Sequence, residues 1–305
     1  EQNGSNIISF TSTTIPFFEY NCSPRNLFQC GLSKQSAGTQ MQAAAWRKEA
    51  KLFRMYGPQR YISRTIPMDF YGLDDVTLGV NAVIAILSYT GYDLDDAVII
   101  NHTAVERGML NAGVTIAKIV TASAKGASDD DVVVFHNLKA DNTRESNHLQ
   151  DNGLPPKRSP VCETSFDRDH KFPTLLDDTP VYGCAIRSKY TDPVDGSTKY
   201  RYFSHHVTRW RHFDKGEAAW IHNIVPLTYD GPDVTSALFV FRIPRPPSVG
   251  DKFSSRHGQK GTLPLHIRGL DLPFSSRTGL SPDVIINPHA FPSRMTVGMV
   301  LEIVT

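Results

Sequence analysis

Six consecutive residues, Gly91-Tyr92-Asp93-Leu94-Asp95-Asp96, crowd three carboxylates onto one short stretch. Carboxylates held so close repel one another unless a cation or basic neighbours compensate them. An oxygen-rich, flexible loop of this kind suits Mg²⁺, which takes one or two protein carboxylates and fills its shell with water and substrate phosphate. An exposed acidic turn is the plain alternative, because Asp is a favoured turn residue. The alternating ligands and distal Glu of a calcium loop are missing. A second stretch has the opposite sign: Gly250-Asp251-Lys252-Phe253-Ser254-Ser255-Arg256-His257-Gly258-Gln259-Lys260-Gly261. Its glycines permit close backbone approach to a ligand, and Lys252, Arg256 and Lys260 offer charges suited to phosphate. The Gly-Lys-Ser/Thr ending of a Walker loop is absent. His257 reads either as a general acid or as a hydrogen-bonded structural residue.

Two further segments set an arginine beside residues that fix the backbone: Ser23-Pro24-Arg25-Asn26, and Asn287-Pro288-His289-Ala290-Phe291-Pro292-Ser293-Arg294-Met295. Prolines on either side of His289 restrict the chain. Ser293 reads as a helix N-cap with Met295, Met299, Val300 and Ile303 at helical spacing behind it, which puts Arg294 in a first helical turn where anions are favoured. An acidic loop, two lysines and two anchored arginines are the parts of a phosphoryl- or nucleotidyl-transfer site, where positioning and charge neutralisation supply most of the rate.

The elements that must hold these parts are mainly strands. Twenty prolines and 21 glycines spread through 305 residues cut the chain into short segments. Residues 76–89 read as a doubly buried strand and 97–100 as a second, with the acidic loop at the corner between them. From about 111 to 233, β-like runs at 132–135, 181–187, 200–208 and 221–225 alternate with polar stretches at 124–131 and 140–152 that read as loops. Tyr200, Arg201, Tyr202 and Phe203, followed by His205, His206, Arg209, Trp210, Arg211 and His212, mix charge with rings; an RNA-facing surface and a strand with one solvated basic face both fit. Strands are again expected at 238–241 and 284–286.

Overall composition excludes some classes. With 40% hydrophobic residues the chain can build real cores, and 32 Lys plus Arg against 31 Asp plus Glu leave a net charge of +1, too little for a polybasic binder. The charge is local instead: between Arg242 and Arg268 six basic residues face one acid, a surplus of +5. The longest apolar run is far short of the ~20 residues of a membrane span. Without an initiator Met or a signal-peptide pattern, the chain reads as a soluble piece of a longer protein. Cys22, Cys30, Cys162 and Cys184 lack disulfide-scaffold or zinc spacing, so buried free thiols and no zinc are expected. The glycosylation-like tripeptides at Asn3, Asn21 and Asn101 read as chance.

Taken in order, Ser23-Pro24-Arg25-Asn26 with Lys34-Gln35, Ser88-Tyr89-Thr90-Gly91-Tyr92 running to Asp95-Asp96 and Asn101, the stretch 250–261, and Pro282-Asp283-Val284-Ile285-Ile286-Asn287-Pro288-His289 to Met295 resemble successive signatures of one family. That family is the second-largest subunit of multisubunit DNA-directed RNA polymerases. The resemblance runs from about Ile15 to the end and fades between 112 and 233. Among nuclear enzymes, Gly91 to Ala97, Arg242-Ile243-Pro244-Arg245 and His289-Ala290-Phe291-Pro292 with Thr296-Val297-Gly298-Met299 are most similar to polymerase I, the ribosomal-RNA enzyme, with polymerase III as the alternative.

The resemblance implies a mainly β fold with some α: a double-psi β-barrel, the hybrid-binding region, formed by residues 1–110 and 237–305 and interrupted by a β-rich wall at 111–236. It implies that Asp96, with Asp95 beside it, approaches a second Mg²⁺ whose principal partner ion is held by the largest subunit. Lys252 and Lys260 would line the RNA 3′ end and the nucleotide phosphates, Arg25 and Arg294 would contact the triphosphate, and Lys34, Gln35, Arg256, His257 and Gln259 would lie along the RNA–DNA hybrid. Partners would be the largest subunit, the assembly-platform subunits, DNA template, hybrid and nucleoside triphosphates, in the nucleus and nucleolus, with no membrane. The chain alone would be inactive. Cys22, Leu32-Ser33 and Asp95 depart from the family's usual Gln, Met-Gly and Glu. A degenerate RNA-binding or assembly module, and a self-contained metal-dependent nuclease or phosphatase, are the competing classes.

Overall fold

A computed structural model describes residues 8–39, 43, 46, 47, 49–124, 131–159, 163–165, 174–176, 179–209 and 219–305. The Asn3 tripeptide, Cys162, the Trp210-Arg211-His212 end of the basic-aromatic run and most of the polar stretch 124–131 lie outside them. In chain order come helix α1 (Ser23–Ser33), strand β1 (Lys51–Met55), helix α2 (Ile66–Phe70), β2 (Ile84–Ile86), β3 (Val98–Asn101), helix α3 (His102–Glu106) and β4 (Ala112–Thr121). Then follow β5 (Val132–Phe135), β6 (Glu163–Ser165), β7 (Thr174–Leu176), β8 (Pro180–Thr191), β9 (Thr198–Arg209), β10 (Trp220–Asp230) and β11 (Asp233–Arg245). The last stretch carries β12 (Lys252–Ser254), β13 (Lys260–Thr262), β14 (His266–Ile267), β15 (Val284–Ile286) and helix α4 (Val297–Val304). The protein is mainly β.

The chain divides into two compact units, one from Glu1–Arg47, Phe53–Gly113 and Arg245–Thr305, the other from Lys48–Leu52 and Val114–Pro244. In the first, a four-stranded sheet runs β14-β3-β15-β2. The β14–β3 and β15–β2 pairs are parallel, and β15 lies antiparallel to β3. Strand β3 is buried on both sides because both of its faces are apolar. Ile99 packs with Leu272 and Ile285, and its neighbour Ile100 packs with Val105 and Leu263. Asn101 closes the strand and caps α3 by accepting from the Thr103 N–H (3.0 Å).

Residues 76–89 do not form the long strand their composition suggests. Only Ile84–Ile86 pair in the sheet. Earlier backbone groups bond to loops instead: Thr39 N–H donates to the Thr77 carbonyl and Gln59 N–H to that of Gly79. The predicted C-terminal helix also starts later, at Val297. Met295 has a left-handed φ of 52°, and Thr296, the residue before the helix, forms an isolated antiparallel bridge with Asn21, so Ser293 does not cap this helix and Arg294 lies in the turn before it.

The second unit is built from long hairpins. Strands β8 and β9 pair antiparallel with β5 alongside β8, and β10 pairs antiparallel with β11. Phe135, Tyr182, Phe239 and Phe241, with Val181, Ile221 and Ile243, form its core. Phe135 meets Tyr182 edge-to-face at 5.5 Å. Arg187 is buried between the Asp230 and Asp233 carboxylates with its guanidinium 4.6 Å from the Tyr200 ring centroid. Tyr200 and Tyr202 of the basic-aromatic run therefore serve this pair, since Tyr202 Oη also donates to Asp233 (2.8 Å). Cys184 is buried, whereas Cys22 and Cys30 are half-buried, and all three are free. Among the described residues no helix is long and apolar enough to cross a membrane.

Candidate functional site

The acidic loop is shaped by its first carboxylate. Asp93 is fully buried and accepts from the Tyr89 N–H (2.9 Å), folding the loop back on itself. Thr90, Gly91 and Asp95 all take left-handed φ values. This turn leaves Asp95 and Asp96 exposed at its rim, so of the three carboxylates only these two face outward.

The basic loop is a hairpin, β12 against β13, with Lys252 opposite Thr262, Phe253 opposite Gly261 and Ser254 opposite Lys260. Because side chains alternate along each strand, this register puts Lys252 and Lys260 on one face and Phe253 on the other. Phe253 packs toward the Ile100 core, and both lysines are exposed. The hairpin docks on the acidic loop through backbone: Thr262 N–H donates to the Asp96 carbonyl (2.9 Å), and Ala97 bridges Thr262 in parallel. A Cβ on Gly261 would sit 2.3 Å from Val98 Cγ2 and 2.6 Å from the Asp96 oxygen, so only glycine allows this approach.

Two arginines complete the cluster. Arg294, 198 residues from Asp96 in sequence, forms an ion pair with its carboxylate. Arg25, in the first turn of α1, donates to the Gly258 carbonyl (3.3 Å). Gly258 has φ +69° and a Cβ there would lie 2.4 Å from the Arg25 carbonyl oxygen. Arg25 and Lys260 both lie 5.6 Å from the Phe28 ring centroid. Lys34 and Gln35 stand exposed beyond the C-terminal end of α1.

Three residues expected on the hybrid turn inward instead. His257 is fully buried. The Asn21 carbonyl oxygen accepts from the Gly298 N–H (3.0 Å), which fixes the amide so that its nitrogen donates to His257 Nδ1 (2.9 Å). Nε2 of His257 therefore carries the hydrogen and donates to Glu302 on α4 (2.5 Å). Arg256 pairs with the same carboxylate, donates to the Ser63 carbonyl (2.8 Å) and stacks 4.6 Å from the Tyr61 centroid. Gln259 donates to the Thr296 hydroxyl. Burial by itself would raise the Glu302 carboxyl pKa, but the His257 hydrogen bond and the Arg256 charge outweigh it and hold the group below its ordinary value. These side chains brace the loop against α4; His257 has both ring nitrogens engaged and no surface to offer a nucleic acid. Phe28 and Glu302 carry no motif in the sequence and Asn21 reads there only as a chance tripeptide, although a lone Glu in an apolar eight-residue helix is itself a signal of a buried basic partner.

Among the described residues no group of three or more His, Cys, Asp or Glu side chains could hold a metal ion. At the rim of the acidic turn Asp95 and Asp96 offer hard oxygen donors of the kind Mg²⁺ prefers, and Mg²⁺ commonly takes only one or two protein carboxylates. The donor set fits a Mg²⁺ whose other ligands come from elsewhere.

Fold and site together describe a mainly β module that gathers an acidic turn, a basic hairpin and two anchored arginines at one corner of a mixed sheet. The chain belongs to the RNA polymerase Rpb2, domain 6 family, whose model matches residues 11–305. It is 37% identical over 305 residues to the DNA-directed RNA polymerase I subunit RPA2 of Neurospora crassa, covering 98% of this chain and 23% of that protein. It is 34% identical over 303 residues to subunit RPA135 of Saccharomyces cerevisiae (98% and 23%), and 32% over 300 residues to human RPA2 (97% and 23%). The chain thus spans about a quarter of the length of these relatives, which are subunits of a nucleotidyltransferase complex.

Proposed function

We propose that this chain forms part of the active centre of a DNA-directed RNA polymerase, most like polymerase I and so making ribosomal RNA in the nucleus, within it the nucleolus. The observation that carries the reading is the Arg294–Asp96 pair, which joins two sequence-distant segments beside the docked Lys252/Lys260 hairpin. Asp96 and Asp95 would hold the second Mg²⁺ jointly with the largest subunit. When bound, that ion neutralises triphosphate charge and orients the reacting phosphate. Arg25, Arg294, Lys252 and Lys260 bind and orient the triphosphate as fixed positive charges, the arginines through forked N–H pairs. With Asp96 and Arg294 as mutual counterions, a bare anion taken by Arg294 would strand the carboxylate. A ligand that brings metal and phosphate together satisfies both.

The hybrid-binding reading keeps Lys34 and Gln35, exposed beyond α1, and drops Arg256, His257 and Gln259, which are committed to Glu302, Asn21 and Thr296. The expected boundary at 237 falls inside β11, whose Phe239, Phe241 and Ile243 pack in the core of the second unit, so the barrel reading passes from 1–110 and 237–305 to the first unit, residues 1–47, 53–113 and 245–305. That unit would make the double-psi barrel, a reading supported by two parallel strand pairs joined antiparallel. The second unit would be the wall, guiding hybrid and exiting RNA. Partners would be the largest subunit, the platform subunits, template and nucleoside triphosphates. The test is nucleotide addition by the assembled enzyme carrying Asp96→Ala or Arg294→Ala: addition slows while assembly is intact. Normal rates in both would turn the reading to a non-catalytic module. An RNA crosslink map that never reaches residues 112–233 would remove the wall assignment.

A further inference from the structure

We propose that Phe28 is a positioning residue for the nucleotide-binding cations, its ring holding Arg25 and Lys260 together; this rests on the reading of those two residues as triphosphate ligands. Arg25 and Phe28 are neighbours at i and i+3 on α1, so the helix itself lays the guanidinium near the ring. Lys260 arrives from β13, brought there by the packing of the α1 first turn on Gly258. Both charges lie 5.6 Å from the same centroid, inside the range in which a ring quadrupole attracts a cation. The ring is 50% exposed, more than a core phenylalanine would be, so filling space is not its main contribution.

Two cations brought to one place repel, and both side chains are long, with much rotamer freedom to lose on binding. An aromatic ring within reach of both supplies negative potential without a formal charge. It restrains both side chains while leaving their N–H groups free for phosphate oxygens. A carboxylate in the same position would compete with the phosphate for those N–H groups. The ring therefore lowers the ordering cost of binding rather than adding a contact to the substrate.

The experiment is single-nucleotide addition by the complete assembled polymerase carrying Phe28→Leu, Phe28→Tyr, Arg25→Ala plus Lys260→Ala, or Phe28→Leu in that double-mutant background. Phe28→Leu is expected to raise the apparent KM for the nucleotide about 3- to 10-fold, with kcat changed less, from two weak cation–π contacts. Phe28→Tyr keeps the ring and should restore the wild-type KM. In the Arg25→Ala, Lys260→Ala enzyme, Phe28→Leu should add no further effect, because its targets are gone. The inference is overturned if Phe28→Leu leaves KM unchanged, if Phe28→Tyr is equally impaired, or if the Leu effect persists in full without the two cations. If Arg25→Ala plus Lys260→Ala itself leaves KM untouched, the triphosphate reading fails, and the inference falls with it for that separate reason.

Discussion

Replacing Glu302 by alanine separates the structural work of the basic loop from its chemistry. The carboxylate takes Arg256 through two nitrogens and His257 Nε2, and the three side chains are 23%, 17% and 0% exposed. Breaking a buried charge pair costs about 3–5 kcal/mol and a charged hydrogen bond about 1.5–3. With the carboxylate partly solvated, about 2–4 kcal/mol is expected for Glu302→Ala. That free energy is local to the junction of α4 with the hairpin. It should be read as amide hydrogen exchange of Val297–Val304 in the assembled polymerase, about 30- to 1,000-fold faster than in the parent, at 1.36 kcal/mol per tenfold. Glu302→Gln keeps one acceptor without charge and should fall between. The sign of the pH dependence follows from the depressed carboxyl pKa. Its contribution is complete above the ordinary glutamate value and is lost as pH falls through the lower folded value. Protection of α4 should therefore weaken in acid in the parent and lose that dependence in Glu302→Gln. Unchanged exchange in Glu302→Ala, or an acid response that survives in Glu302→Gln, would refute the bracing role.

Other outcomes follow from the same geometry. Asp96→Asn in the assembled enzyme should slow nucleotide addition about 100-fold, the scale of losing one preorganised charge contact, and raise the Mg²⁺ concentration required; an unchanged Mg²⁺ titration would contradict it. Gly258→Ala must force Cβ against the Arg25 carbonyl at a left-handed φ, so about 2–3 kcal/mol of destabilisation is expected, visible as lowered thermal stability and weaker nucleotide binding. The isolated 305-residue chain should incorporate no nucleotide on a primed template with Mg²⁺ present. Burial pushes the Cys184 thiol pKa up to about 11, so peptide mapping after alkylation at pH 8 should find it unmodified until denaturant is added.

The acidic corner was legible because aspartates between two apolar runs can only be a turn. Which of them would face outward was not: Asp93 is the buried one, claimed by the Tyr89 amide. The surplus of positive charge between Arg242 and Arg268 marked the right loop, but a charge count carries no direction. It could not separate Lys252 and Lys260, on the exposed hairpin face, from Arg256, committed to Glu302 from the C-terminal helix. The register of β12 and β13 turns both lysines to one face, while Arg256 lies in the loop between the two strands and is held by Glu302; three-residue strands are too short to show a period beforehand. Residues 76–89 misled in the other direction, since Val, Ile and Leu mark burial as readily as pairing. The long β8–β9 hairpin was underestimated at its ends, where Lys189, Tyr190, Thr198 and Lys199 continue the ladder in the open.

The strand order β14-β3-β15-β2 also sets a timetable. Strands β2 and β3 leave the ribosome with no partner between them, because β15 belongs there, and Asn101 waits for a carbonyl 181 residues downstream. At about 5–20 residues per second that interval is on the order of 10–40 s. The intervening hairpin unit is complete before it ends, so it folds as an inserted passenger while the first half of its host stays open. During that interval Ile84–Ile86 and Val98–Asn101 are apolar, unpaired edges, the kind of segment that recruits a chaperone or a neighbouring nascent chain.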